Sequence, residues 1–242
     1  MLTSAGLLSK LLTLIAEKSA SKLITLPFDK RKKACRTLTK LYYSVQCLDD
    51  VTQTLLYTFQ GFIKYGTASA LVTCLRNHQR DLELASNMFM ELSEELQGGL
   101  EIIDPSLAKC CSAIYSGKGG FLDYISNSIT IDRRAGVATI TLNIPNGNVE
   151  LNQLEAMYQS SEEAEAQHVK HFWPHGAFEF LSRDIQKIDL QSISNEAGDE
   201  LLSMIQNQNN LLRAAKESLR ILLKENFTID EILFQNDSHP YR

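Results

Sequence analysis

Three sets of ionisable residues have types and spacings that could support chemistry. In the first, His78 would act as a general base oriented by Asp49 or Asp50. Arg76 and Arg80 flank the histidine and would steady an anion in a hydrolase or nuclease. The same positions also suit buried polar residues that set helix register. The sequence favours this structural interpretation over a catalytic one.

A second set of candidate ligands surrounds the end of a predicted helix before Pro174. Glu165 and His168 form an E-x-x-H step, His171 follows three residues later on the same helical face, and His175 lies beyond the proline. Carboxylate and imidazole groups suit zinc or iron, but no second E-x-x-H step accompanies this one. Histidines at a helix C-terminus also interact favourably with the helix dipole. That simpler interpretation is preferred, and no cofactor is predicted.

A third set is a basic run near the N-terminus, formed by Lys30, Arg31, Lys32, Lys33 and Arg36. The first forty residues carry nine Lys and Arg against two Asp and Glu, whereas the net charge of the whole chain is −5. The run could be a solvated helix face, bind an anionic membrane surface beside the amphipathic first helix, or contact the acidic surface of another copy. A nucleic-acid interface is less favoured, because no aromatic residue interleaves the basic run.

Two long helical segments must position the first set. The segment over about 29–65 has an apolar seam with a 3.5-residue period, made of Ala34, Leu38, Leu41, Val45, Leu48, Thr52, Leu55, Phe59 and Phe62. After Gly66 a second seam follows, made of Leu71, Leu75, His78, Leu82, Ala85, Phe89, Leu92 and Leu96, and Gly98–Gly99 ends it. Two such seams predict an antiparallel, coiled-coil-like hairpin that brings Thr52 close to Arg80 and His78.

The remaining segments predict further helices around a small β element. Helical apolar spacing predicts helices over about 3–24, 106–116, 152–172, 176–190 and 195–226. Alternating residues predict strands over 128–131 and 137–144, with a short third strand over 149–151. The last long helix carries Gln208 in its seam, which could join a polar layer with Thr52 and His78.

The predicted fold class is therefore mainly α: an antiparallel long-helix bundle with a small inserted β-hairpin or meander. The N-terminal hairpin and bundle would span residues 1–126, the β insertion residues 127–151, and the helices that complete the bundle residues 152–242. The sequence favours a non-catalytic helical interaction protein, an adaptor or regulatory subunit that acts through self-assembly or a protein partner. A hydrolase or nuclease, and a membrane-surface-binding bundle, are the alternatives.

Composition places the chain among ordinary globular proteins. Hydrophobic residues make up 44% and charged residues 22% of the 242 positions, enough for a substantial core. The five cysteines form no CxxC pair and are odd in number, which argues against a secreted disulfide framework. No apolar run approaches the roughly 18–20 residues needed to span a bilayer. The expected location is the cytoplasm.

Overall fold

Long helices make up most of the computed structural model. The structure describes residues 4–65, 73, 76–77, 80–81, 84, 87, 94–115, 129–134, 137–145, 151–169, 183–189 and 195–233. The helices are α1 (Ser4–Leu23), α2 (Phe28–Tyr65), α3 (Pro105–Tyr115), α4 (Leu151–Ala166), α5 (Asn195–Asn226) and α6 (Ile229–Leu233), and residues 94–103 are also helical. The mainly helical class is therefore confirmed. None of the described helices combines the length and the apolar character needed to cross a membrane.

The apolar seam of α2 is buried along its described length. Its core-facing members are Ala34, Leu38, Leu41, Val45, Leu48, Thr52, Leu55 and Phe59. A 38-residue helix forms here because the segment contains no proline and its apolar residues repeat with the helical period. The helix packs against α5, where Ile205, Leu212, Ala215, Leu219 and Leu222 are buried in turn. The long helices predicted over 29–65 and 195–226 are thus confirmed.

The apolar face of α1 belongs to the same core. This helix packs mainly against α5, and Leu12, Ile15 and Leu23 are buried. The side chains of Leu8 and Leu11 lie outside the part of the chain that the structure describes. The face that would have to enter a membrane surface is therefore occupied by protein over its described residues.

The first half of α2 also packs against the helical residues 94–103. Arg36 Nε lies 2.9 Å from Glu95 Oε1, and Lys40 forms an ion pair with the same carboxylate. These contacts join the two segments at one end of the predicted hairpin. The packing of the two seams along the rest of their length, including the position of His78, lies outside the described residues.

Gly99 brings these two helices into close approach. The Thr37 side chain occupies the space where a Cβ atom at this position would lie. The helix continues past Gly98 and Gly99 to residue 103, so the prediction that the glycine pair ends it is wrong. Glycine in a helix interior costs about 1 kcal/mol relative to alanine. It is suited to this position because a larger residue would collide with the neighbouring helix.

A three-stranded antiparallel sheet accompanies the helices. Its strands are β1 (Ile129–Arg134), β2 (Val137–Pro145) and β3 (Arg183–Asp189), in the spatial order β1-β2-β3. Ile140 in the central strand pairs with Ile131 on one side and with Ile188 on the other. The sheet therefore draws on two segments that are far apart in sequence.

The third strand does not come from the predicted segment. Leu151 is the first residue of α4 rather than the end of a strand. Strand β3 lies instead within the segment predicted as a helix over 176–190, in the part of the chain assigned to C-terminal helices. Ile185 and Ile188 are spaced as on a helix face, which explains the wrong prediction. The segment pairs with β2 over seven residues, and strand preference depends on such cross-strand neighbours more than on the local sequence pattern.

Candidate functional site

Asp49, one of the two aspartates predicted to orient His78, is buried between α2 and α5. It accepts a hydrogen bond from Asn209 Nδ2 at 3.1 Å and forms an ion pair with Lys216. Arg213 Nε lies 3.4 Å from the same carboxylate. The three partners lie one turn apart along one face of α5. A buried carboxylate is costly unless it is paired and hydrogen-bonded, and α5 meets both conditions.

The other members of the predicted catalytic set do not join Asp49 within the described residues. Asp50 is exposed and accepts a hydrogen bond from Gln46 Nε2 at 2.8 Å. Arg76 and Arg80 lie on helical, exposed positions. His78 falls outside the described residues, so its pairing with either aspartate stays a prediction.

The predicted polar layer contains a residue that the sequence pattern did not single out. Thr52 is buried, but its hydroxyl donates to the Leu48 carbonyl at 2.8 Å and so needs no other partner. The buried amide that faces α2 is Asn209, one residue after the predicted Gln208, whose side chain is outside the described residues. The helical period of α5 alone could not choose between two adjacent polar residues.

A second buried carboxylate, Asp104, joins three helices and was missed by the sequence analysis. Its Oδ1 accepts a hydrogen bond from the backbone N–H of Ser106 at 3.0 Å, which caps the N-terminus of α3. Tyr158 of α4 donates to Oδ2 at 2.5 Å, and Lys22 of α1 forms an ion pair with it. The Asp-Pro-Ser sequence signals the cap. Nothing local points to partners 54 and 82 residues away.

The surroundings of Asp104 keep its neighbours protonated. Burial, together with the hydrogen bond to Asp104, raises the pKa of Tyr158 well above its usual range. Burial, with the nearby charge of Asp104, raises the pKa of the Cys110 thiol to about 12. A neutral phenol and a neutral thiol are poor bases and nucleophiles at neutral pH. The contacts of Asp104 join α1, α3 and α4.

The described residues of the predicted metal cluster do not lie on one helical face. Helix α4 ends at Ala166, not near residue 172, so Glu165 and His168 do not share a face of one helix. Glu165 pairs with Lys109 Nζ at 2.6 Å. Among the described residues no group of three or more potential ligands converges, and His171 and His175 lie outside them. The less favoured metal-binding alternative therefore depends on histidines outside the described residues.

His168 instead ends the helix. Its φ of 56° is in the left-handed region, its N–H donates to the Glu165 carbonyl at 3.0 Å, and the N–H of Val169 donates to the Ala164 carbonyl at 2.9 Å. This pair of bonds is a Schellman motif with His168 at the position that usually holds glycine. The motif provides partners for two carbonyl groups that the helix end would otherwise leave unpaired.

We expect His168→Gly to raise the free energy of unfolding by about 1 kcal/mol, because glycine adopts the left-handed conformation without a steric penalty. Urea unfolding followed by circular dichroism measures the change. His168→Ala is the control, since it removes the imidazole but retains the penalty. If alanine stabilised the protein as much as glycine, backbone strain would not be the cause.

Some residues of the basic run form contacts within the fold. Arg31 Nε lies 2.8 Å from Glu231 Oε1, its guanidinium donates to the Asn226 carbonyl, and it lies 5.0 Å from the Phe227 ring centroid. The hydrogen bond from Arg31 lowers the pKa of Glu231. Arg36 pairs with Glu95, as described above. Arg31 and Arg36 therefore stabilise the fold, while Lys30 and Lys33 are exposed.

Large apolar side chains are exposed on the segments that the contacts of Arg31 join. Ile24, Phe28 and Ile229 are each 73% exposed, and Leu233 is 69% exposed. Ile24 lies in the α1–α2 connection, Phe28 is the first residue of α2, and the other two belong to α6. Arg31 links these segments through the Leu23 carbonyl and Glu231. We call these four residues the apolar end. Clusters of this kind usually mark interaction surfaces, whereas single exposed apolar residues do not.

A groove of about 280 Å³ between α2 and the α5–α6 segment adjoins this apolar end. Its described lining residues are Thr39, Tyr42, Tyr43, Arg220, Leu223, Lys224, Phe227, Ile229 and Ile232. The rings of Tyr42 and Tyr43 meet edge to face at 5.8 Å, and Tyr43 is 61% exposed. Ile229 belongs to both features, so the groove and the apolar end form a continuous surface. The sequence patterns did not reveal this groove, because α2 and α5 are brought together only by tertiary packing.

Comparison of the chain with protein-family models, with curated proteins and with solved structures finds no match.

Proposed function

We propose that this is a non-catalytic helical interaction protein, which acts as an adaptor or regulatory subunit by binding a partner protein or another copy of itself. The observation that carries the proposal is the apolar end with its adjoining groove. Exposed aliphatic and aromatic residues lose contact with water when a partner covers them, and this loss drives most protein association. Tyrosine and arginine, both present in the groove, are enriched among the residues that dominate binding energy.

The buried carboxylates support this proposal over a hydrolase or nuclease. Asp49 is held by three groups of α5, and Asp104 is held by Lys22 and Tyr158. A general base needs a lone pair directed at a substrate. Among the described residues, both carboxylates direct their lone pairs at other parts of the same protein.

The alternatives at the N-terminus have less support. A membrane-binding role for α1 would require Leu12 and Ile15 to leave the core. A nucleic-acid role would require Arg31 and Arg36 to leave their carboxylate partners. We place the protein in the cytoplasm, because Cys35 and Cys110 are buried and Cys47 is half-buried, and none of these three thiols is in a disulfide, as a reducing compartment allows.

The proposal is tested by removing apolar surface without touching the groove. We expect purified protein to form a homo-oligomer, or to co-purify with a stoichiometric partner from its own cells. Phe28→Ser combined with Leu233→Ser should weaken that association at least about tenfold, since each residue is expected to contribute more than 1 kcal/mol in a buried interface. Sedimentation velocity over a concentration series measures the change.

Tyr57→Ser provides the matched control for this pair. Tyr57 is also a largely exposed apolar residue of α2, but it lies about 29 residues from Phe28, or roughly 43 Å along the helix. Its replacement should leave the association unchanged. A wild-type protein that is strictly monomeric and co-purifies with nothing would refute the proposal, as would an equal loss in the Tyr57 variant.

A further inference from the structure

We infer that the groove between α2 and α5 binds an acidic amphipathic helix of a partner protein. This inference rests on the proposed function and adds to it the location of the site and the chemistry of the partner. Its basis is the combination of apolar floor, cationic rim and shape that the groove presents.

The charged residues that line the groove favour a negatively charged partner. Among the described lining residues the charged ones are Arg220 and Lys224, which are one turn apart on α5 and both exposed. Two cations at this spacing match carboxylates that are themselves one turn apart on a helix. Complementary charge of this kind contributes to specificity and to the rate of association.

Arg220 can exchange its present partner, Glu217, for a carboxylate of a bound helix. Its guanidinium forms two hydrogen bonds with Glu217, at 2.7 Å and 2.5 Å, and both side chains are about half exposed. Exposed ion pairs within a helix contribute little to stability. A carboxylate of a bound helix can therefore replace Glu217 at small cost, while Glu217 holds the guanidinium in position until it does.

The apolar residues that line the groove favour a partner with apolar side chains. Of the lining residues, Leu223 and Phe227 are buried, whereas Tyr43 and Ile229 are exposed. The volume of about 280 Å³ lies just below the roughly 300–1,000 Å³ typical of small-molecule sites, and it suits a few side chains. The groove extends from residue 220 of α5 to residue 227, the residue after its C-terminus, about 10 Å, which is two turns of a docked helix with apolar anchors at i and i+4.

Two other occupants fit less well. A nucleic acid would use Tyr42 and Tyr43 for stacking, but Leu223, Ile229 and Ile232 provide no aromatic face, and two cations neutralise few phosphates. A second copy would have to bring an acidic helix with large apolar anchors. Helix α6 carries the exposed pair Ile229 and Leu233 beside Asp230, but it has only five residues, and Ile229 already lines the groove. The exposed face of α4 is acidic at Glu155, Glu162 and Glu163, but between these residues it carries only Ala156 and Gln159.

Synthetic peptides test the inference directly. The probe is a fluorescent 16-residue helix with leucine anchors at i and i+4 flanked by glutamates, and its counterpart carries lysines at the flanking positions. Fluorescence anisotropy with the full-length protein should show the acidic peptide binding at least about tenfold more tightly than the basic one. Arg220→Glu combined with Lys224→Glu should weaken acidic-peptide binding about tenfold or more, because two attractive contacts become repulsive.

The controls separate charge in the groove from charge elsewhere. Arg76→Glu combined with Arg80→Glu makes the same change at two exposed cations one turn apart that do not line the groove. It should leave binding unchanged. Tyr43→Ala removes apolar contact without changing charge and should also weaken binding, while circular dichroism checks that each variant remains folded.

Several results would overturn the inference. These are equal binding of both peptides, no effect of the Arg220 and Lys224 changes, tighter binding of a single-stranded RNA oligonucleotide, and a homodimer that those changes dissociate. If none of the peptides bound while Phe28→Ser with Leu233→Ser still disrupted association, only the inference about the groove would fail. The proposed function would then stand on the apolar end alone.

Discussion

Replacing Asp49 with alanine is expected to lower the free energy of unfolding by about 3 kcal/mol. The substitution removes the acceptor of the Asn209 amide and the counter-charge of Lys216, both of which are at least partly buried. Removing one partner of a buried ion pair typically costs about 3–5 kcal/mol, and the partial exposure of Arg213 argues for the lower end of that range. Urea unfolding with a fixed m-value measures the difference.

The adjacent carboxylate provides a control with the same chemistry. Asp50 is exposed, so Asp50→Ala should change stability by no more than about 0.5 kcal/mol. Asp49→Asn should have an intermediate effect, because an amide oxygen can still accept from Asn209 but leaves Lys216 without a counter-charge. Equal effects of the two alanine substitutions would show that Asp49 is not the carboxylate between the helices.

Gly99→Ala is expected to lower the free energy of unfolding by about 2 kcal/mol. A Cβ at this position would lie 2.5 Å from both Cβ and Cγ2 of Thr37, so the two helices would have to separate. Overpacking of this kind typically costs about 1–3 kcal/mol. Alanine would recover up to about 1 kcal/mol through its higher helix propensity, so the measured loss is a net value.

Gly98 provides the control for the Gly99→Ala prediction. Nothing lies within 4 Å of a Cβ built at Gly98, so Gly98→Ala should stabilise the protein by about 0.5–1 kcal/mol through helix propensity alone. Two neighbouring glycines therefore have opposite expected signs. Thr37→Gly should recover part of the Gly99→Ala loss, because it removes the side chain that the alanine methyl group would meet. Stabilisation by both alanine substitutions would mean that the two helices do not touch at Gly99.

The long helices could be predicted because their signal is local. The seam residues of α2 recur with a 3.5-residue period, and a helix with such a seam buries it whatever the partner is. The predicted bounds of α2 and α5 accordingly agree with the structure to within one residue. The N-cap role of Asp104 was also signalled locally, by the proline and serine that follow it.

The contents of the candidate sites could not be predicted in the same way. Asp49 borders the apolar seam of α2 and Asp50 does not, but only the position of α5 provides Asn209 and Lys216 as partners for the buried carboxylate. His168 adopts the left-handed conformation without being glycine, so the E-x-x-H step was interpreted as continuing a helix that in fact ends at Ala166. Strand β3 carries helical spacing and forms a strand because β2 lies beside it.

The sequence by itself determined which segments are long amphipathic helices and which of their residues face inwards, since a repeating pattern acts through bonds only a few residues apart. Tertiary structure decided which helices meet, which carboxylates become buried, and where an apolar end and a cationic groove are left uncovered. The reason is that contacts such as those of Lys22 with Asp104 or Asn209 with Asp49 join residues 82 and 160 positions apart. Their energies depend on the packing of whole helices against one another, which no short sequence window contains.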